Sequence, residues 1–275
     1  MSDVREALEA IGRLPDGEID IGDAALQLAR VDAPEADWAA ARTHLTRLAR
    51  AAVAAGEGVA ASDLAGQAAA LGGVIGGQFG YRGDADTYDD LANANLIRVI
   101  ERRLGLPVAL GVLWLHAARA VGWRAHGLDF PGHFLLGLAD KDSQAVVDVF
   151  AGGATLDARD LRGLLKRAEG PDAELRPGLL APMGTRAVLM RLQNNILVRR
   201  LNAGELIAAL GGLEDMLRIS PDAALLWRDA AELHERLDHV TAALKCWTRF
   251  VALVPEGGAA ERGRAAIAIL RARLN

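Results

Sequence analysis

The chain has 275 residues, 51% of them apolar but only 4% aromatic, with a single cysteine and a formal charge of −5. That apolar content excludes a disordered chain, and the lone Cys246 excludes a disulfide framework or a cysteine-built zinc cage. The acidic balance argues against a dedicated binder of nucleic acid or anionic membranes, and a charged N-terminus without an apolar run leaves a cytoplasmic protein as the expectation.

Helical patterns open the chain. Residues 3–14 read as a helix, with Asp3 and Glu6 spaced like a capping box and Val4, Leu8 and Ile11 on one face. A second pattern covers about 23–31. Pro34 is placed as the first residue of a longer helix whose apolar face runs through Trp38, Ala41, Leu45, Leu48 and Ala52. Ser62-Asp63 caps a fourth, which carries Leu64, Ala68 and Leu71 until a run of glycines from Gly72 to Gly80 breaks it.

The composition changes after the turn-rich Arg82-Gly83-Asp84-Ala85-Asp86. A helix is expected from about Asp90 to Leu104, stopped by Gly105. The next, Pro107 to Val121, has only His116 and Arg119 as polar residues, so it belongs in the middle of a domain. Residues 124–130, 133–139 and 144–150 read as short strands, separated by Pro131-Gly132 and by Asp140-Lys141-Asp142-Ser143. An even loop centred on Asp140–Lys141 pairs residues whose numbers sum to 281, which sets His133 directly opposite Asp148 on one face. A slip of one residue would put Val149 there instead. Gly152-Gly153 closes the sheet, and a helix near 158–168 and a linker, 170–184, follow.

The last ninety or so residues repeat. Ile219-Ser220-Pro221 and Leu253-Val254-Pro255 are 34 residues apart, as are Ala208-Ala209-Leu210 and Ala242-Ala243-Leu244. That is the tetratricopeptide period, and a proline after the second helix belongs to the pattern. Helices are expected at about 186–201, 205–219, 223–237 and 239–253, with a fifth at 259–273.

The run from Asn93 through Leu96, Val99 and Ile100 to Gly105-Leu106-Pro107-Val108-Ala109-Leu110 resembles one family closely. So do Phe130-Pro131-Gly132-His133 and Val147-Asp148-Val149-Phe150 with Gly152-Gly153. The family is that of bacterial transglutaminase-like proteins called "regulator of sirC expression". The likeness covers nearly the whole chain, more weakly before residue 75, and departs at Asn93-Ala94 and Asp148-Val149, where relatives tend to read Asn-Ser and Asp-Pro. It implies an α+β fold: an N-terminal helical segment (1–80), a papain/transglutaminase-like core (81–170), and a C-terminal part (185–275) of two tetratricopeptide-like helical hairpins plus a capping helix. In active members a Cys at the start of the central helix is the nucleophile, a His on one strand its base, and an Asp on the next strand the group that orients that His. His133 and Asp148 match the last two roles. The cysteine's place falls at about Pro107, and residues 105–111 hold no Cys, Ser or Thr.

Other candidates weigh less. Cys246, equivalent to Gly212 in the repeat, reads as a small packing residue, and Ser143 sits in a hairpin turn. His126, Asp129 and His133 have the spacing of a ligand set, but alternation turns His126 away from the odd-numbered positions, so neither metal nor cofactor is expected. Asn93 reads as a helix cap, with a groove-lining amide as the alternative, and Tyr88 lines the same groove or packs under its loop. His116 reads as a satisfied core histidine; His44, His234 and His239 read as surface residues. The expectation is a pseudoenzyme: a non-catalytic, regulatory protein that binds a peptide or protein through the cleft or the repeat surface, with Asn93, Tyr88 and Pro107 as cleft candidates. The alternative is a hydrolase or acyl-transferase that uses His133 and Asp148 with water or another nucleophile.

Overall fold

A computed structural model describes residues 2–274 and divides into two compact units, Pro15–Leu192 and a helical unit formed by Met1–Leu14 with Gln193–Asn275. Helix α1 (Ser2–Arg13) therefore belongs with the C-terminal helices. Asp3 lies within its first turn, not at the cap position that the capping-box spacing suggested. Among the described residues no helix is long and apolar enough to cross a membrane.

The unit Pro15–Leu192 begins with α2 (Ile21–Asp32), α3 (Trp38–Ala55) and α4 (Leu64–Gly72). Each starts at an aspartate, Asp20, Asp37 or Asp63, whose carboxylate accepts the backbone N–H three residues on. Such a cap supplies an acceptor that the first helical turn lacks. Pro34 thus sits in the turn before α3 and does not begin it. The glycines after α4 do not break the chain's winding. Residues Gly73–Gln78 widen into a π-helical turn that buries Val74 and Ile75.

The helix expected from Asp90 to Leu104 is also shorter. A 3-10 turn (Leu91–Asn93) comes first, and α5 (Leu96–Arg102) is capped by Asn95, whose Oδ1 accepts from the N–H groups of Ile97 and Arg98. The Asn95 amide also donates to the Ala29 carbonyl of α2, so a tertiary contact chooses the start. Two short strands, β1 (Arg82–Gly83) and β2 (Leu104–Gly105), pair in parallel just before α6 (Pro107–Val121). Eleven of the fifteen α6 residues are buried, which makes it the central helix of the unit.

The sheet runs β3 (Arg124–Phe130), β4 (His133–Ala139), β5 (Gln144–Asp148), β6 (Ala154–Leu156), then α7 (Ala158–Glu169) and β7 (Pro182–Met183). Its order is β6-β5-β4-β3-β7, antiparallel throughout. The strands expected at 124–130 and 133–139 are found as such, while β6 and β7 extend the sheet at both edges. Leu128, Phe130, Leu135 and Val146 bury one face under Leu161 and Leu165 of α7. On the other, Phe134 fits where Gly111 of α6 lacks a side chain. Asp16 accepts from the N–H groups of Thr185 and Arg186, and so caps α8 (Thr185–Asn202) from a distant point in sequence.

The helical unit contains the end of α8 and α9 (Leu206–Ile219), α10 (Ala224–Arg236), α11 (Val240–Leu253) and α12 (Gly258–Leu274). Helices α9 and α11 are each 14 residues long and begin 34 residues apart (206 + 34 = 240). Their buried residues correspond at that offset: Ala209 with Ala243, Leu213 with Trp247, Met216 with Phe250. Helix α1 packs on α9 through Val4, Leu8 and Ile11. Gly12 comes so close that a Cβ there would lie 2.0 Å from the Arg218 carbonyl oxygen.

Two histidines read as surface residues prove buried. His44 is covered by Tyr81 and Arg103, and His234 packs beside His239 with ring centroids 5.5 Å apart.

Candidate functional site

His133 opens β4 directly after the turn Pro131-Gly132, where Gly132 takes a φ of 68° that favours glycine. Asp148 ends β5. The hairpin between them is offset from the expected register. Leu136 pairs with Val147 and Ala139 with Gln144, so paired numbers sum to 283, not 281. The cause is the turn: Asp140 N–H donates to the Ser143 carbonyl, and the Asp140 carboxylate accepts from the amides of Asp142 and Ser143, which centres the loop one residue later. His133 and Asp148 are therefore diagonal neighbours and not directly opposed. Because a displacement of two residues preserves the face, they still meet, with Nε2 3.1 Å from Oδ1.

The same Asp148 oxygen accepts the N–H groups of Phe150 (3.0 Å) and Ala151 (3.1 Å). Burial alone would raise this carboxyl group, but the hydrogen bonds from His133 and the two amides outweigh it and hold Asp148 below the usual carboxylate range. A carboxylate can only accept, so His133 donates from Nε2, and in the neutral ring Nδ1 keeps the lone pair. The arrangement can hold an imidazole in one tautomer and accept a proton at Nδ1.

Phe150 links this pair to the start of the central helix. Its ring stands edge-on to His133 (centroids 6.4 Å) and to Tyr88 (6.1 Å). A Cβ on Gly83 would fall 2.5 Å from the Phe150 ring, so only glycine fits at that point of β1. Gly83 pairs with Gly105, and the Leu106 N–H donates to the Asn93 carbonyl. Pro107 follows as the first residue of α6, buried, with Val108, Ala109 and Leu110 buried behind it. Tyr88 remains 42% exposed.

Asn93 has a different place from either one expected. Its side chain is fully buried; Nδ2 donates to Asp84 Oδ2 (3.1 Å) and to the Thr87 carbonyl (2.7 Å), and Oδ1 accepts from Arg102 (3.2 Å). It is neither the helix cap, which is Asn95, nor a groove wall. Asp84, held down to about 2 chiefly by the Thr87 hydroxyl and amide, completes this knot beneath the loop that carries Tyr88. Replacing Asn93 with Ala strands Asp84 and Arg102 partners, and a urea titration should show a loss of about 2 kcal/mol.

One neighbour escaped the sequence reading. Arg191 on α8 donates to the His133 carbonyl (2.9 Å), pairs with Asp129, and lies over the Phe134 ring at 5.9 Å. Its only mark in the sequence is a charge inside the apolar run Val188-Leu189-Met190-Arg191-Leu192. His126 is bonded to Gln144 (2.9 Å), and among the described residues no group of three His, Cys, Asp or Glu side chains is placed to hold a metal. Cys246 is buried in the helical unit, and burial with nearby Glu214 pushes its thiol up to about 11, so it stays protonated at neutral pH.

A family model described as the transglutaminase-like superfamily matches residues 39–194, more than half of the chain and all of the His133–Asp148 region. A UPF0162 protein of Xylella fastidiosa is 34% identical over 181 residues, covering 65% of this chain and 64% of that protein. The chain thus spans a little under two thirds of that relative's length. A UPF0162 protein of Vibrio cholerae is 27% identical over 184 residues, 67% of this chain and 68% of its own. F-box only protein 21 of Mus musculus is 31% identical over 77 residues, 28% of this chain but 12% of that protein. With a strand-borne His–Asp pair tied through Phe150 to the start of a buried central helix, and a family match across that region, the chain belongs to the transglutaminase-like superfamily.

Proposed function

We propose that this protein binds a peptide or protein segment without transforming it. In this reading the cleft bordered by His133, Asp148, Phe150 and Tyr88 is the docking site, and the C-terminal helices act as tetratricopeptide-like hairpins in a regulatory interaction protein of the cytoplasm. The observation that carries the reading is Pro107, a buried side chain with no nucleophilic atom at the first position of α6. Acyl transfer through a thiol needs a thiolate at that helix start. The chain's cysteine, Cys246 on α11, is a protonated, packed thiol. The exposed Tyr88 ring is the kind of side chain on which partner segments are commonly anchored.

The retained His133–Asp148 pair supports a second reading, in which His133 Nδ1 activates water. Hydrolysis of p-nitrophenyl acetate separates the two. The binding reading expects equal rates in the parent and in His133→Ala, and iodoacetamide should modify Cys246 slowly and equally in both. A His133-dependent turnover makes the protein a hydrolase and ends the binding reading. Peptides selected by display on the parent should lose affinity for Tyr88→Ala.

A further inference from the structure

The helical unit contains a cavity of about 520 Å³, formed between α1, α9, α10 and α11. Its size is that of a small-ligand site, which usually has an apolar body and a few directed polar groups. Leu217, Ala230 and Cys246 are its buried apolar surface, and Trp227 adds an indole wall held by the bond from its Nε1 to the Pro221 carbonyl (2.8 Å). The charged residues on it are balanced: carboxylates from Glu9 and Glu214, guanidinium groups from Arg13 and Arg218.

Two of these groups are only loosely paired within the protein, Arg218 with Glu9 and Glu214 with His234. Arg218 bonds Asp215 through one terminal nitrogen (2.9 Å), but its Nε–H is buried without an acceptor, and Glu9 Oε1 stands 3.7 Å from it. Glu214 faces His234 Nε2 at 3.6 Å, beyond hydrogen-bond reach, while His234 itself is buried with Nδ1 3.3 Å from His239 Nδ1. Burial lowers the His234 pKa, so the ring brings little positive charge to Glu214.

We propose that this cavity is a binding site for a zwitterion with an apolar body, of dipeptide size. A ligand carboxylate sits at the guanidinium groups of Arg13 and Arg218, an ammonium group sits at Glu214, and apolar side chains lie on Trp227, Leu217 and Ala230. A purely anionic ligand would meet two carboxylates, and a purely cationic one two guanidinium groups. None of its lining residues belongs to the unit Pro15–Leu192.

Isothermal titration calorimetry on the full chain with the dipeptide Leu-Leu tests it. Saturable binding is expected, with N-acetyl-Leu-Leu and Leu-Leu-amide each weaker by about tenfold, or about 1.4 kcal/mol. Glu214→Gln should bind Leu-Leu and its N-acetyl form alike, and Trp227→Ala should weaken all three ligands. No saturable heat up to about 10 mM overturns the proposal. Equal affinity for the free and blocked dipeptides in the parent, or parent-like behaviour of both folded variants, overturns it too.

Discussion

Phe134→Ala will cost about 4 kcal/mol, read as a lowered urea midpoint at unchanged slope. The ring is fully buried on β4 and held between two glycines: a Cβ at Gly111 of α6 would fall 2.1 Å from it, and one at Gly127 of β3 would fall 2.9 Å away. The helix and the sheet come closest around this aromatic side chain, so removing it leaves a void that neither backbone can close. A protein of this size has only about 5–15 kcal/mol of stability to lose. Gly111→Ala supplies the matching control. On its own it gains helix propensity yet overpacks the ring, for a net loss of about 1–2 kcal/mol. In the Phe134→Ala background the added methyl fills part of the void, and the same substitution becomes stabilising. A Gly111→Ala protein more stable than the parent would show that the close packing does not exist.

Acidification from pH 7 to pH 4 will remove about 3 kcal/mol through His44 alone. This imidazole is buried on α3, with Tyr81 Oη 2.8 Å and Arg103 Nη1 3.0 Å from its Nε2. Burial first, and then the positive charges of Arg103 and Arg47, lower its pKa to about 4. The unfolded chain takes up a proton near pH 6.5, but the folded one resists it until about pH 4, so the unfolded state binds more protons throughout that window. Stability is therefore complete above the unfolded value and falls as pH drops through the folded one. Asp84 and Asp148, with lowered pKa values, lose their contributions in the same direction but at more acid pH. Melting temperatures across pH 4–7 should slope in the parent and slope less steeply in His44→Gln, where the shallower contribution of His234 and His126 remains. Parallel slopes in the two proteins would remove His44 as the cause.

Elements set by local pattern could be read from the sequence. The apolar α6, the strands beside Pro131-Gly132 and the 34-residue correspondence of α9 with α11 all rest on periodicities within a single segment. The His133–Asp148 pair was legible for a related reason, since strand alternation survives an even error in register. What failed depended on partners far along the chain. The sequence pattern puts the cap at Asn93; Asn95 takes the role because Ala29 holds its amide, while Asp84 and Thr87 claim that of Asn93. His44 looked exposed because the residues that cover it lie 37 and 59 positions away. Strands β6 and β7, three and two residues long, are too short to show alternation, and Arg191 carries no local sign of its bond to His133.

The pairing of α1 with α9 sets an order of events during folding. Arg5 and Asp215, bonded at 3.2 Å, are 210 residues apart, and all of Pro15–Leu192 lies between them. Closing so long a loop in a flexible chain costs about 5 kcal/mol before any contact offsets it. Once the intervening unit has collapsed, the flexible length that must be closed is far shorter. On a ribosome, moreover, α1 emerges before that unit and α9 only after the whole of it has been made. Helix α1 must therefore wait, with Val4, Leu8 and Ile11 uncovered, so a helix made before Pro15–Leu192 is buried only after it.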